Sequence, residues 1–92
     1  MTQKIRVLVV DDSATMRRHL CEVLTTSSEF EVVAAAEDGK QAIELAEIWN
    51  PDVITMDMML PVMSGLAAVE YIMAYCPTPI LIVSASINRG QI

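Results

Sequence analysis

The sequence is poor in the residues that build metal fingers and disulfide frameworks. It contains two cysteines and one histidine in 92 residues, with Cys21 and Cys76 far apart in sequence and no partner histidine near His19. Structural zinc sites need clustered Cys and His ligands, and disulfide-rich domains need several cysteine pairs. We therefore expect two reduced, partly buried thiols and a histidine on a helix surface, without a zinc site or a disulfide.

Positive charge and long apolar runs are also scarce. The chain has 6 lysines and arginines against 12 acidic residues, and its net charge of −6 disfavours contacts with nucleic-acid phosphates. No apolar run reaches the roughly 18 to 20 residues of a membrane span, and the first residues lack the pattern of a secretory signal. We expect a cytoplasmic chain that binds neither nucleic acid nor membrane.

What the sequence does contain is an alternation of strand and helix patterns. Apolar segments at residues 5–10, 30–36, 53–56 and 78–83 predict strands. Amphipathic segments predict three helices. The first begins after Ser13 and ends near residues 25–28, the second runs from about residue 40 to residue 49, and the third begins at residue 66 and ends before residue 77. Strands that alternate with helices form parallel sheets through right-handed crossovers. We predict one α/β domain built on a doubly wound parallel sheet.

Each predicted helix has one apolar stripe that should face the sheet. Residues three or four positions apart share a helix face, and an apolar face packs on the core. The stripes are Met16, Leu20, Val23 and Leu24 in the first helix, Ala42, Leu45, Ala46 and Trp49 in the second, and Leu66, Val69, Ile72 and Met73 in the third. These side chains are the predicted contribution of the helices to the core.

Polar side chains follow three of the predicted strands. Asp11 and Asp12 follow the first strand, Asp57 follows the third, and Ser84 follows the fourth. Because the carboxyl ends of parallel strands meet at one edge of a sheet, we expect these residues to converge. Converging carboxylates repel one another unless a proton or a cation settles among them, and oxygen ligands suit Mg²⁺. With such a metal, Asp57 can act as a nucleophile toward phosphorus.

Other interpretations of these aspartates are possible. They can simply cap turns and helices, as aspartate often does after a strand. An aspartate-nucleophile phosphatase shares the strand-end carboxylate and Mg²⁺, but it normally places a second aspartate two residues later, where this chain has Met59. Nucleotide binding at the first turn needs a glycine-rich loop, whereas that turn reads Asp-Asp-Ser and lacks glycine.

Three successive segments carry a family resemblance. They are Val-Leu-Val-Val-Asp-Asp-Ser at residues 7–13, Asp57 followed by Leu60-Pro61 and Ser64-Gly65, and Ile-Val-Ser-Ala at residues 82–85. In this order they resemble the signatures of a response-regulator receiver domain, over essentially the whole chain. Among receivers, the chain is most similar to the N-terminal receiver of chemotaxis protein-glutamate methylesterases. The resemblance implies a flavodoxin-like receiver fold with strand order 2-1-3-4.

The resemblance also implies roles for the strand-end residues. Asp57 would accept a phosphoryl group from a histidine kinase. Asp12 would bind Mg²⁺ directly, Asp11 largely through water, and the main-chain carbonyl of Met59 would supply a further ligand. The Ser84 hydroxyl would bind the phosphoryl group and act as the switch.

The resemblance further implies a larger protein. Complete receivers continue through a fourth helix, a fifth strand with a phosphate-binding lysine and a fifth helix, whereas this sequence stops at Ile92. We therefore expect residues 1–92 to be a partial receiver domain, not an independent enzyme, that is followed in its parent protein by a methylesterase effector domain, a hydrolase.

An incomplete sheet would also leave an edge exposed. The apolar segment from Thr78 to Val83 would then be an edge strand that can pair with a second copy of the chain. The alternatives for the function are a noncatalytic, receiver-like interaction fragment and a stand-alone response regulator with another output.

Overall fold

The computed structural model describes residues 3–83, in which three helices pack on a four-stranded sheet. The elements are β1 (Ile5–Val10), α1 (Ala14–Thr25), β2 (Phe30–Ala36), α2 (Gly39–Trp49), β3 (Val53–Met56), α3 (Gly65–Tyr75) and β4 (Ile80–Ile82). All neighbouring strands pair in parallel, in the order β2-β1-β3-β4. The predicted parallel α/β architecture and the strand order are confirmed.

The central strand β1 is buried because its sequence is almost continuously apolar. Its last four residues, 7–10, are each at most 1% exposed, as expected for a strand that is covered on both faces. Side chains alternate along a strand, so Leu8 and Val10 point to the same face of the sheet. On that face they join residues of the neighbouring strands and of α2 and α3 in one core cluster: Ala36, Ala42, Ile43, Ala46, Ile54, Met56, Ala68 and Ile72.

Each helix begins at a polar residue that caps its amino terminus. The side chains of Ser13, Asp38 and Ser64 accept hydrogen bonds from the main-chain N–H three residues later, at 3.2, 2.8 and 3.2 Å. Such caps satisfy N–H groups that have no partner within the helix. Because Asp38 is the cap, α2 begins at Gly39, one residue before its predicted start. Among residues 3–83, every helix falls short of the length and apolar character that a membrane-spanning helix needs.

The prediction of the helix faces is partly wrong. Val23, Trp49, Leu66 and Met73 are exposed and do not face the core. The helix residues that are buried are mostly small ones: Gly39, Ala42, Ile43, Ala46, Gly65, Ala68 and Ile72. Small side chains let α2 pack closely against the sheet and against α3, so α2 and α3 each bury a narrow face. In α3 the apolar pattern is also a poor guide, because Glu70 is its single charged residue.

The fourth strand is shorter than predicted. The sequence predicts a strand over residues 78–83, but β4 spans only Ile80–Ile82. Pro79 has no N–H to donate to a sheet, although its carbonyl accepts a hydrogen bond from the N–H of Ile54 at 2.9 Å. The N–H of Val83 donates to the carbonyl of Met56 at 2.9 Å, just beyond the strand. Residues 84–92, predicted to be a loop or a frayed helix start, lie outside the described residues.

Candidate functional site

The carboxyl ends of β1 and β3 carry three carboxylates. Val10 pairs in register with Met56, so the residues that follow them, Asp11 and Asp57, emerge side by side. Asp12 is the next residue, in the turn to α1. One carboxylate oxygen of each aspartate lies within 4.8 Å of those of the other two. The structure therefore brings together the three aspartates that the sequence analysis placed at this edge, which we call the acidic site.

Hydrogen bonds hold two of these aspartates in place. The N–H groups of Asp11 and Asp57 donate to carbonyls at the ends of β2 and β1, at 3.1 and 3.0 Å. On the side chains, Oδ1 of Asp11 accepts from the N–H of Ser13 at 2.9 Å, and Oδ1 of Asp57 accepts from the N–H of Met59 at 3.0 Å. Each of these bonds engages one carboxylate oxygen and leaves a second oxygen for a ligand.

Asp11 is the most enclosed of the three aspartates. It is 6% exposed, whereas Asp57 is half-buried and Asp12 is exposed. Burial raises the pKa of Asp11, and the charges of Asp57 and Asp12 raise it further. The N–H of Ser13 and the charge of Arg17 act in the opposite direction without cancelling the rise in pKa. A cation among the carboxylates would offset this cost of ionising Asp11.

Position 65 lies so close to the main chain of Asp57 and Met58 that it requires a glycine. A Cβ atom there would lie 2.6 Å from the Cα of Met58 and 2.7 Å from the carbonyl oxygen of Asp57. The N–H of Gly65 also donates to the carbonyl of Met58 at 3.2 Å. Gly65 thus closes the loop against the residue that carries the carboxylate.

Val62, within the same loop, has an unfavourable main-chain conformation. Its φ of 67° lies in the left-handed region that β-branched residues avoid. The N–H of Met63 donates to the carbonyl of Pro61 at 2.6 Å, so Val62 is the centre of a γ-turn of the rare, strained kind. The side chain is 83% exposed, so little packing compensates for this strain. The proline and glycine of this segment predict a loop but not this turn.

The donor set of the acidic site fits Mg²⁺. This ion commonly binds protein through one or two carboxylates and keeps several of its waters. Asp11, Asp12 and Asp57 are the residues that could hold it. The main-chain carbonyl of Met59 stays a predicted ligand, next to an N–H that already bonds to Asp57. The predicted role of Ser84 concerns a residue outside the described range 3–83.

Among the described residues, no cysteine or histidine joins these carboxylates in a cluster that could hold a metal ion. Cys21 and Cys76 are free and half-buried, in agreement with the sequence analysis. Burial raises the pKa of both thiols, so little thiolate forms at neutral pH. His19 is exposed on α1, as predicted for a helix-surface histidine.

Known sequences resemble this chain over nearly its whole length. Residues 7–91 match the response regulator receiver domain family. A protein-glutamate methylesterase/protein-glutamine glutaminase from Carboxydothermus hydrogenoformans is 51% identical over 89 residues, covering 97% of this chain and 25% of that protein. A protein of the same name from Methanococcus maripaludis is 54% identical over 88 residues, covering 96% and 24%. The chain spans about a quarter of the length of these relatives.

Solved structures share the fold. The response regulator domain of Thermotoga maritima CheB superposes with a TM-score of 0.90 at 43% identity, covering 96% of this chain and 66% of that one. A chain in the CheX-CheY-BeF3-Mg+2 complex from Borrelia burgdorferi superposes with a TM-score of 0.80 at 28% identity, covering 88% and 62%. By sequence and by strand order, the chain belongs to the response regulator receiver domain family of two-component signalling, and it resembles the receivers of chemotaxis methylesterases.

Proposed function

We propose that this receiver accepts a phosphoryl group on Asp57 from a phosphohistidine of a histidine kinase, with Mg²⁺ bound at the acidic site. The convergence of Asp11, Asp12 and Asp57, with carboxylate oxygens within 4.8 Å of one another, carries the proposal. Membership of the receiver family supports it. So does the similar Borrelia burgdorferi complex, which contains Mg²⁺ and BeF3, a group with the shape and charge of a phosphoryl group.

The metal ligands that we propose are the carboxylates of Asp11, Asp12 and Asp57 and the main-chain carbonyl of Met59. Mg²⁺, when bound, neutralises charge on the phosphoryl oxygens during the transfer. Because burial raises the pKa of Asp11, a nearby cation would favour the ionised form of this side chain.

Asp57 is the proposed nucleophile because its carboxylate is already oriented by the protein. The N–H of Met59 holds Oδ1 at 3.0 Å, which leaves Oδ2 to attack phosphorus. A bond forms between Oδ2 and phosphorus while the bond between phosphorus and the imidazole nitrogen breaks. The electron pair of the broken bond stays on that nitrogen, and the product on Asp57 is an acyl phosphate. We propose that the hydroxyl of Ser84 then binds the phosphoryl group and signals its presence.

The proposed output is the control of an effector domain in the same protein. The relatives named above are methylesterase/glutaminases, and the chain spans about a quarter of their length. We propose that residues 1–92 serve such a protein as part of its receiver, in the cytoplasm, and that the hydrolase activity belongs to the effector domain.

Phosphate labelling tests the proposal. The chain is incubated with Mg²⁺ and a small phosphodonor such as acetyl phosphate, both as the 92 residues alone and in a form extended past Ile92. We expect label that survives acid, is lost in alkali and disappears in Asp57→Asn. Asp52→Asn is the matched control, because Asp52 lies at the other end of β3, where it accepts a hydrogen bond from the N–H of Arg6 at 2.8 Å. Absence of label in both forms, or label that persists in Asp57→Asn, would contradict the proposal.

A further inference from the structure

Arg17 contacts the acidic site through the main chain rather than through a carboxylate. It lies in the first turns of α1, half-buried, and its Nη1 donates to the carbonyl oxygen of Asp11 at 2.8 Å. Its own N–H donates to the carbonyl of Ser13 at 2.9 Å within the helix. Arg17 therefore ties the start of α1 to the turn that carries Asp11 and Asp12.

The position of this hydrogen bond determines what it can control. The carbonyl of Asp11 belongs to the planar peptide group that joins Asp11 to Asp12. Fixing this plane constrains ψ of Asp11 and φ of Asp12, and these angles set the directions of both side chains. A guanidinium donor makes a stronger bond to a carbonyl than a neutral donor does. The bond leaves the carboxylate oxygens of both aspartates available for other ligands.

We propose that Arg17 is a positioning residue of the acidic site, which orients Asp11 and Asp12 through the carbonyl of Asp11 and thereby sets the affinity for Mg²⁺. This inference rests on the proposed Mg²⁺ site. Groups that orient metal ligands without touching the metal typically change its affinity by about 10- to 100-fold when they are removed. The contact with Arg17 belongs to this class.

Arg17→Met and Arg18→Met each remove one positive charge, and together with Arg17→Lys, which keeps the charge at position 17, they separate positioning from charge. Arg17→Met removes one positive charge and the contact. Arg18→Met removes one positive charge from the neighbouring position, which is exposed and makes no hydrogen bond to this turn among residues 3–83. Isothermal titration of the 92-residue chain with MgCl₂, at fixed pH and ionic strength, gives each Kd. We expect a Kd about tenfold weaker in Arg17→Met and within about twofold of wild type in Arg18→Met.

Two further measurements exclude a purely structural effect. Thermal unfolding without Mg²⁺ shows whether each variant folds, and Arg17→Gln, whose side chain is too short to reach the carbonyl, replaces Arg17→Met if that variant unfolds. Arg17→Lys supplies another donor and should recover most of the lost affinity. Equal Kd values for Arg17→Met and Arg18→Met, or no recovery in Arg17→Lys, would overturn the positioning role of Arg17 but not the Mg²⁺ site. A wild-type chain that binds no Mg²⁺ would overturn the metal site itself, and this inference with it.

Discussion

Asp11 places a carboxylate where neither burial nor its neighbours favour a negative charge. It is 6% exposed, and Asp12 and Asp57 both offer carboxylate oxygens within 4.8 Å. Burial and these charges raise its pKa in the folded chain. The folded chain therefore binds more protons than the unfolded chain between the two pKa values, and stability is lost as the pH rises through that window. This destabilisation persists at neutral pH when no metal is bound.

We expect Asp11→Asn to raise the Tm of the metal-free chain by a few degrees at neutral pH. Asparagine keeps an Oδ1 that can accept the hydrogen bond from Ser13 but carries no charge. The gain should shrink as the pH falls below the raised pKa, because wild-type Asp11 then takes up a proton. Saturating Mg²⁺ should stabilise wild type more than the variant. Thermal unfolding followed by circular dichroism checks this, and a gain that is independent of pH would contradict it.

Val62 gives a second test at the scale of one residue. A positive φ is uncommon for a β-branched residue such as Val62, whereas asparagine is several-fold enriched at positive φ. Because Val62 is 83% exposed and has a φ of 67°, Val62→Asn should stabilise the chain by about 0.5–1 kcal/mol with little loss of packing. Val23→Asn is the control, because Val23 is exposed in α1 and because valine and asparagine have similar helix propensities. Urea unfolding gives both values, and equal effects would contradict the strain at Val62.

The loop that joins β3 to α3 couples the position of Asp57 to the start of a helix. Gly65 is the first residue of α3, and a Cβ there would meet main-chain atoms of Met58 and Asp57 at 2.6 and 2.7 Å. Main-chain atoms can move aside only if the loop itself moves. The loop and the strand end therefore act as one unit.

Gly65→Ala should destabilise the chain by about 1–3 kcal/mol and weaken Mg²⁺ binding in the variant that remains folded, because the loop must shift. Ser64→Ala is the comparison at the neighbouring position. It removes the helix cap and should cost about 1 kcal/mol, with little effect on the affinity for Mg²⁺. Urea unfolding and magnesium titration measure the two effects separately. If Gly65→Ala folds with wild-type stability and wild-type affinity for Mg²⁺, the close approach of position 65 to Met58 and Asp57 does not affect the acidic site.

The elements differ in how far the sequence predicts them. Strand β1 is predictable because its apolar, β-branched run is buried on both faces, and its end then places Asp11 at the sheet edge. The buried face of α3 is not, because almost every side of that helix is apolar. The turn at Val62 and the contact of Arg17 with the Asp11 carbonyl depend on how elements pack in space, which residue spacing does not encode.

At the scale of the whole molecule, β4 is an edge strand among the described residues. It pairs with β3 on one side, and Leu81 and Ile82 are 58% and 42% exposed. No charged residue lies in its sequence, Ile-Leu-Ile. Edge strands without a charge or another protection tend to pair with further strands. This edge is the surface through which we expect the chain to self-associate.

We expect the 92-residue chain to dimerise as its concentration rises and Leu81→Lys to weaken the dimer, because a charge on an edge strand opposes pairing. Val23→Lys makes the same change in charge on the exposed side of α1 and should leave the dimer intact. Size-exclusion chromatography with light scattering measures the mass of each species. A wild-type monomer at every concentration would contradict this prediction.

Among the three aspartates of the acidic site, we propose that Asp57, rather than Asp11 or Asp12, receives the phosphoryl group. Borohydride reduces an aspartyl phosphate to homoserine, so reduction of the labelled chain followed by tandem mass spectrometry identifies the acceptor directly. We predict homoserine at position 57, dependent on Mg²⁺, with aspartate retained at positions 11 and 12. Homoserine at position 11 or 12, or a labelled chain with aspartate intact at position 57, would contradict it.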